Sequence, residues 1–229
     1  MKSIFQLKII LDDFKPEINR IVLIESDIDL HRLHLVIQYA MGWENSHLYF
    51  FESNDIRFEV NEEVYDKASN YDFGVYKVKL KQDKNNWDDL FAKMPHMAKY
   101  VKVPKKDVDC REKPISEIFI NPGDTLNYTY DLGDNWQHTI TLEKILQPES
   151  CKFYPVCTAA KGACPIEDCG GIPGFTLFLE AIKDKEHPNH KEMLEWYDGA
   201  FDPELVDLKK INIKLNKLFT SKAALTLNS

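Results

Sequence analysis

Hydrophobic and polar positions alternate from the start of the chain. In IFQLKIIL, Phe5, Leu7, Ile9 and Leu11 fall on one side, the period of two that a half-buried strand requires. INRIVLIES follows after Pro16, and the two segments read as an antiparallel hairpin. The period then changes. In SDIDLHRLHLVIQYAMGW, Leu30, Leu33, Ile37 and Ala40 recur at helical spacing, with Ser26 or Asp27 as the N-cap and Gly42 as the stop. HLYFFES and IRFEV read as two strands joined by polar residues. ISEIFINPGDTLNYTYDL predicts a helical turn, a Pro-Gly turn and a strand, and YDLGDNWQHTITLEKI supplies that strand's partner.

Elsewhere the pattern is weaker. Across residues 61–112, VYKVKL reads as a strand, NWDDLFAKM as a short helix, and KYVKVPKKDVDCREK as a basic loop or edge strand. Residues 151–174 are dense in proline, glycine and cysteine, which predicts an ordered or metal-type loop rather than a helix. Three helices close the chain: GFTLFLEAIKD, then HPNHKEMLEWYDG, then DPELVDLKKINIKLNKLF. The last carries an apolar stripe through Leu205, Leu208, Ile211, Leu215 and Leu218, with a break near Asp207.

This order predicts an α+β fold with a mixed or antiparallel sheet. The N-terminal half is β-grasp-like and the C-terminal helices pack on it. One domain is expected over residues 1–229, divided into a β-rich half (1–150) and a Cys/Pro/Gly loop with helices (151–229). Fold analogy of this kind carries no function.

Composition narrows the partners. A net charge of −8 and a pI near 5.4 argue against a broad nucleic-acid surface, which needs clustered Lys and Arg. The basic, aromatic-bearing stretch at 99–113 is the one local exception. No apolar run approaches the roughly 18 residues of a membrane span. Gln6 and Lys8 interrupt the first apolar run, so it reads as a strand of a cytoplasmic protein rather than a signal peptide.

The candidate chemistry lies in three places. If Trp136 to Leu142 form a strand, His138 shares a face with Trp136, Ile140 and Leu142. It is then either a hydrogen-bonded core histidine or a ligand or base. Asp131 and Asp134 read as turn braces, with Gly133 supplying a positive φ. Cys157, Cys164 and Cys169 form the second candidate. They are three soft ligands for zinc, without the short C-x2-C spacing and with the alternative of buried thiols or a disulfide. Glu167 and Asp168 are the third, as cation ligands or as acids capping the helix that follows. His187 and His190 lack zincin spacing and read as helix-start packing, and His34 and His47 read as structural. No phosphate-binding loop, dinucleotide glycine motif or nucleophile elbow is present.

FQLKIILDDFKPEINR, LHLVIQYAMGWENSHLYFF, YTYDLGDNWQHTITLEKI, YPVCTAAKGACPIEDCGG and HPNHKEMLEWYDGAFDPELVDLKKIN together resemble the plasmid pRiA4b ORF-3-like proteins, in that family's order and over most of the chain. Near residue 20 only Arg20 matches the family's tryptophan and two arginines. Leu132 replaces a phenylalanine, Pro165-Ile166 replaces a double proline, and Cys151 lies outside the pattern. The resemblance implies a bacterial or archaeal source and an association with mobile DNA.

The resulting expectation is a binding or interaction module with a protein or small-molecule ligand and no membrane. The alternatives are a metal-dependent hydrolase or nuclease-like enzyme, and an accessory protein in DNA transactions. The candidate rim is Asp131, Asp134, His138, Glu167 and Asp168. A cation, an arginine such as Arg20, or backbone amides would offset its charge, and the loop at 157–171 is expected to pack close to the strand pair of YDLGDNWQHTITLEKI and cover Trp136.

Overall fold

The computed structural model describes residues 2–60, 106–197 and 199–220. The readings of VYKVKL as a strand and NWDDLFAKM as a helix fall outside the described residues.

Among the described residues, eight strands form one mixed sheet: β1 (Ile4–Leu11), β2 (Asn19–Glu25), β3 (Tyr49–Ser53), β4 (Ile56–Glu59), β5 (Lys106–Asp109), β6 (Thr125–Tyr130), β7 (Trp136–Leu146) and β8 (Val156–Lys161). Their spatial order is β5-β4-β3-β6-β7-β1-β2-β8. The β4–β5 pair is parallel and the rest are antiparallel. The chain is α+β, as its pattern predicts. It begins, as a β-grasp does, with a hairpin followed by a helix, and the later strand beside β1 is the antiparallel β7.

Helix α1 (Leu30–Met41) buries Leu30, Leu33, Val36 and Ile37 in one core with Leu7, Ile9 and Leu11 of β1 and Trp136, Ile140 and Leu142 of β7. Its N-cap is Asp29, whose side chain accepts from the Arg32 amide at 2.8 Å, rather than Ser26 or Asp27. Ser26 instead receives the Ser3 amide, in a bond between chain segments. Gly42, at φ +108, ends the helix in the left-handed form that glycine adopts without penalty.

Helices α2 (Gly171–Lys183), α3 (His190–Tyr197) and α4 (Leu208–Thr220) follow. The break expected near Asp207 is the start of α4, where the Asp207 side chain accepts from the Lys210 amide. Leu205 lies outside the helix and is 69% exposed. Strand β8 corrects the reading of its segment as loop. Its backbone pairs with β2, and α4 covers its other edge: the Asn212 side chain accepts from the Cys157 amide at 2.8 Å and donates to the Cys157 carbonyl at 2.9 Å. A strand whose second partner is a side chain 55 residues away leaves no local alternation to find. The described part of the basic stretch 99–113 forms β5 and a 3₁₀ turn. There Arg111 pairs with Asp109 and Lys113 with Glu117, so those two cations have carboxylate partners.

Candidate functional site

The turn after β6 is built by Asp131. Its Oδ1 accepts from the amides of Gly133 (2.8 Å) and Asp134 (3.3 Å), and its carbonyl accepts from Asn135. The left-handed positions are Asp131 (φ 54) and Asn135 (φ 57), not Gly133. Asp and Asn tolerate that region because their short side chains bond locally.

The 157–171 segment docks on this turn. The Gly170 amide donates to Asp134 Oδ2 at 3.1 Å, and the indole of Trp43 donates to the Pro165 carbonyl at 3.1 Å. Asp134, rather than Asp168, therefore serves the amide at the start of α2, whose N-cap Gly170 offers no side chain.

Docking brings Glu167 and Asp168 to the loop that follows α1, and there His47 becomes the centre of the site. Its Nε2 lies 3.1 Å from Asp168 Oδ1, 3.7 Å from Asp131 Oδ2 and 3.7 Å from Glu167 Oε2. Glu167 Oε1 accepts from the Tyr130 hydroxyl and the Glu44 amide, each at 2.9 Å. Its other oxygen is buried without a hydrogen-bond partner, as is His47 Nε2. Burial holds the Glu167 carboxyl above its ordinary range, opposed by the Glu44 amide, Tyr130 and His47. Burial and the Glu167 charge likewise push the Tyr130 phenol up.

His47, Asp131 and Asp168 each present a ligand atom within 4.8 Å of the others. The His47-to-carboxylate separations of 3.1–3.7 Å match the ligand-to-ligand edges of a four-coordinate ion with bonds of about 2.0–2.2 Å, which are roughly 3.3–3.6 Å. One imidazole with carboxylates suits a first-row divalent cation.

Other predicted residues lie elsewhere. His138 is fully buried, as its face predicts, yet neither ring nitrogen has a hydrogen-bond partner. The backbones of Tyr128 and Trp136 lie near without good bonding geometry. Burial pushes the ring's pKa down to about 3. Trp43 packs edge-on against it. Arg20 is not at the rim. It is 1% exposed and donates to the carbonyls of Ala40, Asn19, Lys161 and Gly162. Its strand position turns it inward, beneath the end of α1.

The sulfurs of Cys157, Cys164 and Cys169 do not converge on one point among the described residues. Cys157 faces the core from β8 and its thiol bonds the Ala159 carbonyl. Cys164 lies beside Arg20, and burial still dominates and raises its pKa. Burial also pushes Cys169 up to about 12. His190 joins α3 to α2 through the Ala181 carbonyl at 2.8 Å, and His187 accepts from the Asn189 amide.

No helix among the described residues is long and apolar enough to cross a membrane. The chain is 30% identical to the uncharacterized protein y4hQ of Sinorhizobium fredii over 218 residues, 94% of this chain and 92% of the relative. It superposes on the crystal structure of MM3350, a protein of unknown function from Methanosarcina mazei Go1, with a TM-score of 0.69 at 28% identity, covering 91% of this chain and 97% of that one. The family model of plasmid pRiA4b ORF-3-like proteins matches residues 3–210. The chain belongs to the plasmid pRiA4b ORF-3-like family.

Proposed function

We propose that the protein is a binding module built around a divalent-cation site, with His47, Asp131 and Asp168 as ligands and Glu167 as a fourth donor. One observation carries the reading: three carboxylates from two separate segments approach a single imidazole nitrogen within 3.7 Å. Carboxylates gathered this closely repel one another unless a cation offsets them. Arg20, the cation expected from sequence, is absent from the cluster and bonds backbone carbonyls instead.

Asp131 is 6% exposed and Asp168 lies open to solvent. The ion would sit at a lip, held from below and reachable from above by a small-molecule or protein ligand. Leu48 and Leu132, the chain neighbours of His47 and Asp131, are 59% and 54% exposed and offer that ligand an apolar flank. The net charge of −8 disfavours a nucleic-acid backbone as the ligand. The plasmid in the family's description supports a role in the biology of mobile elements.

Manganese is the discriminating probe, because thiols bind it poorly compared with carboxylates and imidazole. Titration calorimetry with Mn²⁺ is expected to give one site per chain. Asp131→Asn and His47→Gln should each weaken it at least about 10-fold while Cys164→Ser leaves it unchanged. Absence of Mn²⁺ binding to the wild-type protein, or equal binding by both site variants, rejects the reading.

A further inference from the structure

Four consecutive residues ahead of His47 are each anchored. The Trp43 indole donates to the Pro165 carbonyl, the Glu44 amide to Glu167, the Asn45 amide to Gln38 Oε1 and the Ser46 amide to the Tyr130 hydroxyl. The Asn45 anchor opens a closed circuit. Gln38 Nε2 donates to the Tyr128 hydroxyl at 3.0 Å, that hydroxyl meets His34 Nδ1 at 2.8 Å, and His34 Nε2 meets Asn45 Oδ1 at 2.6 Å. His34, Gln38 and Tyr128 are each at most 1% exposed.

The direction of every bond in the circuit follows from its two ends. A backbone N–H only donates, so the Asn45 amide fixes Gln38 Oε1 as the acceptor and Gln38 Nε2 as the donor to Tyr128. At the other end Asn45 Oδ1 only accepts, so His34 Nε2 donates and carries the proton of the neutral ring. Nδ1 is then an acceptor and takes the Tyr128 hydroxyl proton. Burial favours the neutral ring. Asn45 holds φ 57, the left-handed region that asparagine tolerates better than most residues.

We propose that His34, Gln38, Tyr128 and Asn45 are positioning residues for the cation site. Their circuit locks the turn between α1 and β3 so that His47 presents Nε2 to Asp131, Glu167 and Asp168. The inference rests on the cation reading for its consequence and on the circuit's geometry for its cause. Outer groups that orient a metal ligand commonly change affinity about 10–100-fold. The His47 ring meets Tyr130 edge-on and its Nε2 has no hydrogen-bond partner, so its placement rests largely on the turn that carries it.

Two variants test the proposal without emptying the core. Tyr128→Phe removes one hydroxyl from the circuit. Asn45→Gly removes the acceptor and keeps the positive φ accessible. Both should fold, weaken Mn²⁺ binding roughly 10-fold and change the His47 ring resonances of the metal-free protein. Nitrogen-resolved NMR of the wild type should show His34 protonated at Nε2 alone. Wild-type Mn²⁺ affinity and an unmoved His47 ring in both variants would overturn the positioning role. So would a His34 proton on Nδ1. If the wild type binds no Mn²⁺, the cation reading fails, and the His47 resonances of the metal-free variants still decide whether the circuit positions that ring.

Discussion

The amide of Gly170 donates to the carboxylate of Asp134 across 3.1 Å, joining the β6–β7 turn to the first residues of α2. Asp134 is absent from the group of converging ligand atoms, so its work is bracing. Asp134→Asn keeps an acceptor and loses charge assistance. It is expected to cost about 0.5–1.5 kcal/mol and to leave Mn²⁺ affinity within a factor of about three, on the order of 0.6 kcal/mol. Urea unfolding and calorimetry on the same variant separate the two roles.

Glycines at the same junction should tolerate nothing larger. A methyl at Gly171, already at φ +68, would lie 2.5 Å from the Asp134 carbonyl oxygen, and one at Gly174 would overlap the Cys169 carbonyl oxygen. Helix propensity alone predicts that Gly174→Ala stabilises α2 by about 1 kcal/mol. The contact predicts the opposite sign, a loss of at least about 2 kcal/mol. A denaturation midpoint above wild type for Gly174→Ala would contradict this packing.

Arg20 is a buried cation whose bonds run to four backbone carbonyls. Arg20→Ala removes all four bonds, made by Nε and Nη1, and leaves a void between β2, β8 and the end of α1. The expected loss is about 3–5 kcal/mol. Arg20→Lys keeps the charge without the planar fork and should fall between the two. Neither change should alter the stoichiometry of Mn²⁺ binding in protein that remains folded.

Acid should destabilise the protein in a defined window. His34 and His138 are each pushed down from 6.5 to about 3 by burial. Between those values the unfolded chain holds more protons than the folded one. Stability is therefore full above about pH 6.5 and falls as pH drops through the window, by about 1.4 kcal/mol per unit for each ring. Asp12 and Glu167, both raised chiefly by burial, act in the opposite sense at the acid end and offset part of the loss. His138→Leu removes two unpartnered nitrogens and should reduce the slope between pH 6 and 4.5, a window set by these shifts. An unchanged slope would assign the acid response to other groups.

What the sequence made legible follows the range of the interactions involved. The alternation of β1 and β7 and the stripe of α1 are local signals, and each element forms where its period places it. His138 is buried because strand period alone decides its face. His47 carried no such signal, since its carboxylates lie 84 residues away at Asp131 and about 120 away at Glu167 and Asp168. A polar residue after a helix stop looks the same whether or not other segments arrive beside it. Arg20 and the cysteines misled for a related reason. Residue type suggested a charge for the rim and soft ligands for a metal, but inward-facing strand positions on β2 and β8 committed Arg20 and Cys157 to the interior.

Strand β1 has neighbours on very different schedules. Its hairpin partner β2 ends at Glu25, whereas β7, on its other edge, meets it from Leu146 back to His138. During synthesis at about 5–20 residues per second, the β1–β2 hairpin is complete several seconds before β7 exists. Through that interval β1, whose Leu7, Ile9 and Leu11 face the core, presents an open edge of unpaired backbone groups, the condition in which strands pair with the wrong neighbour. Lys8 lies between them on the strand's other face, and a charge there discourages such pairing before β7 closes the edge.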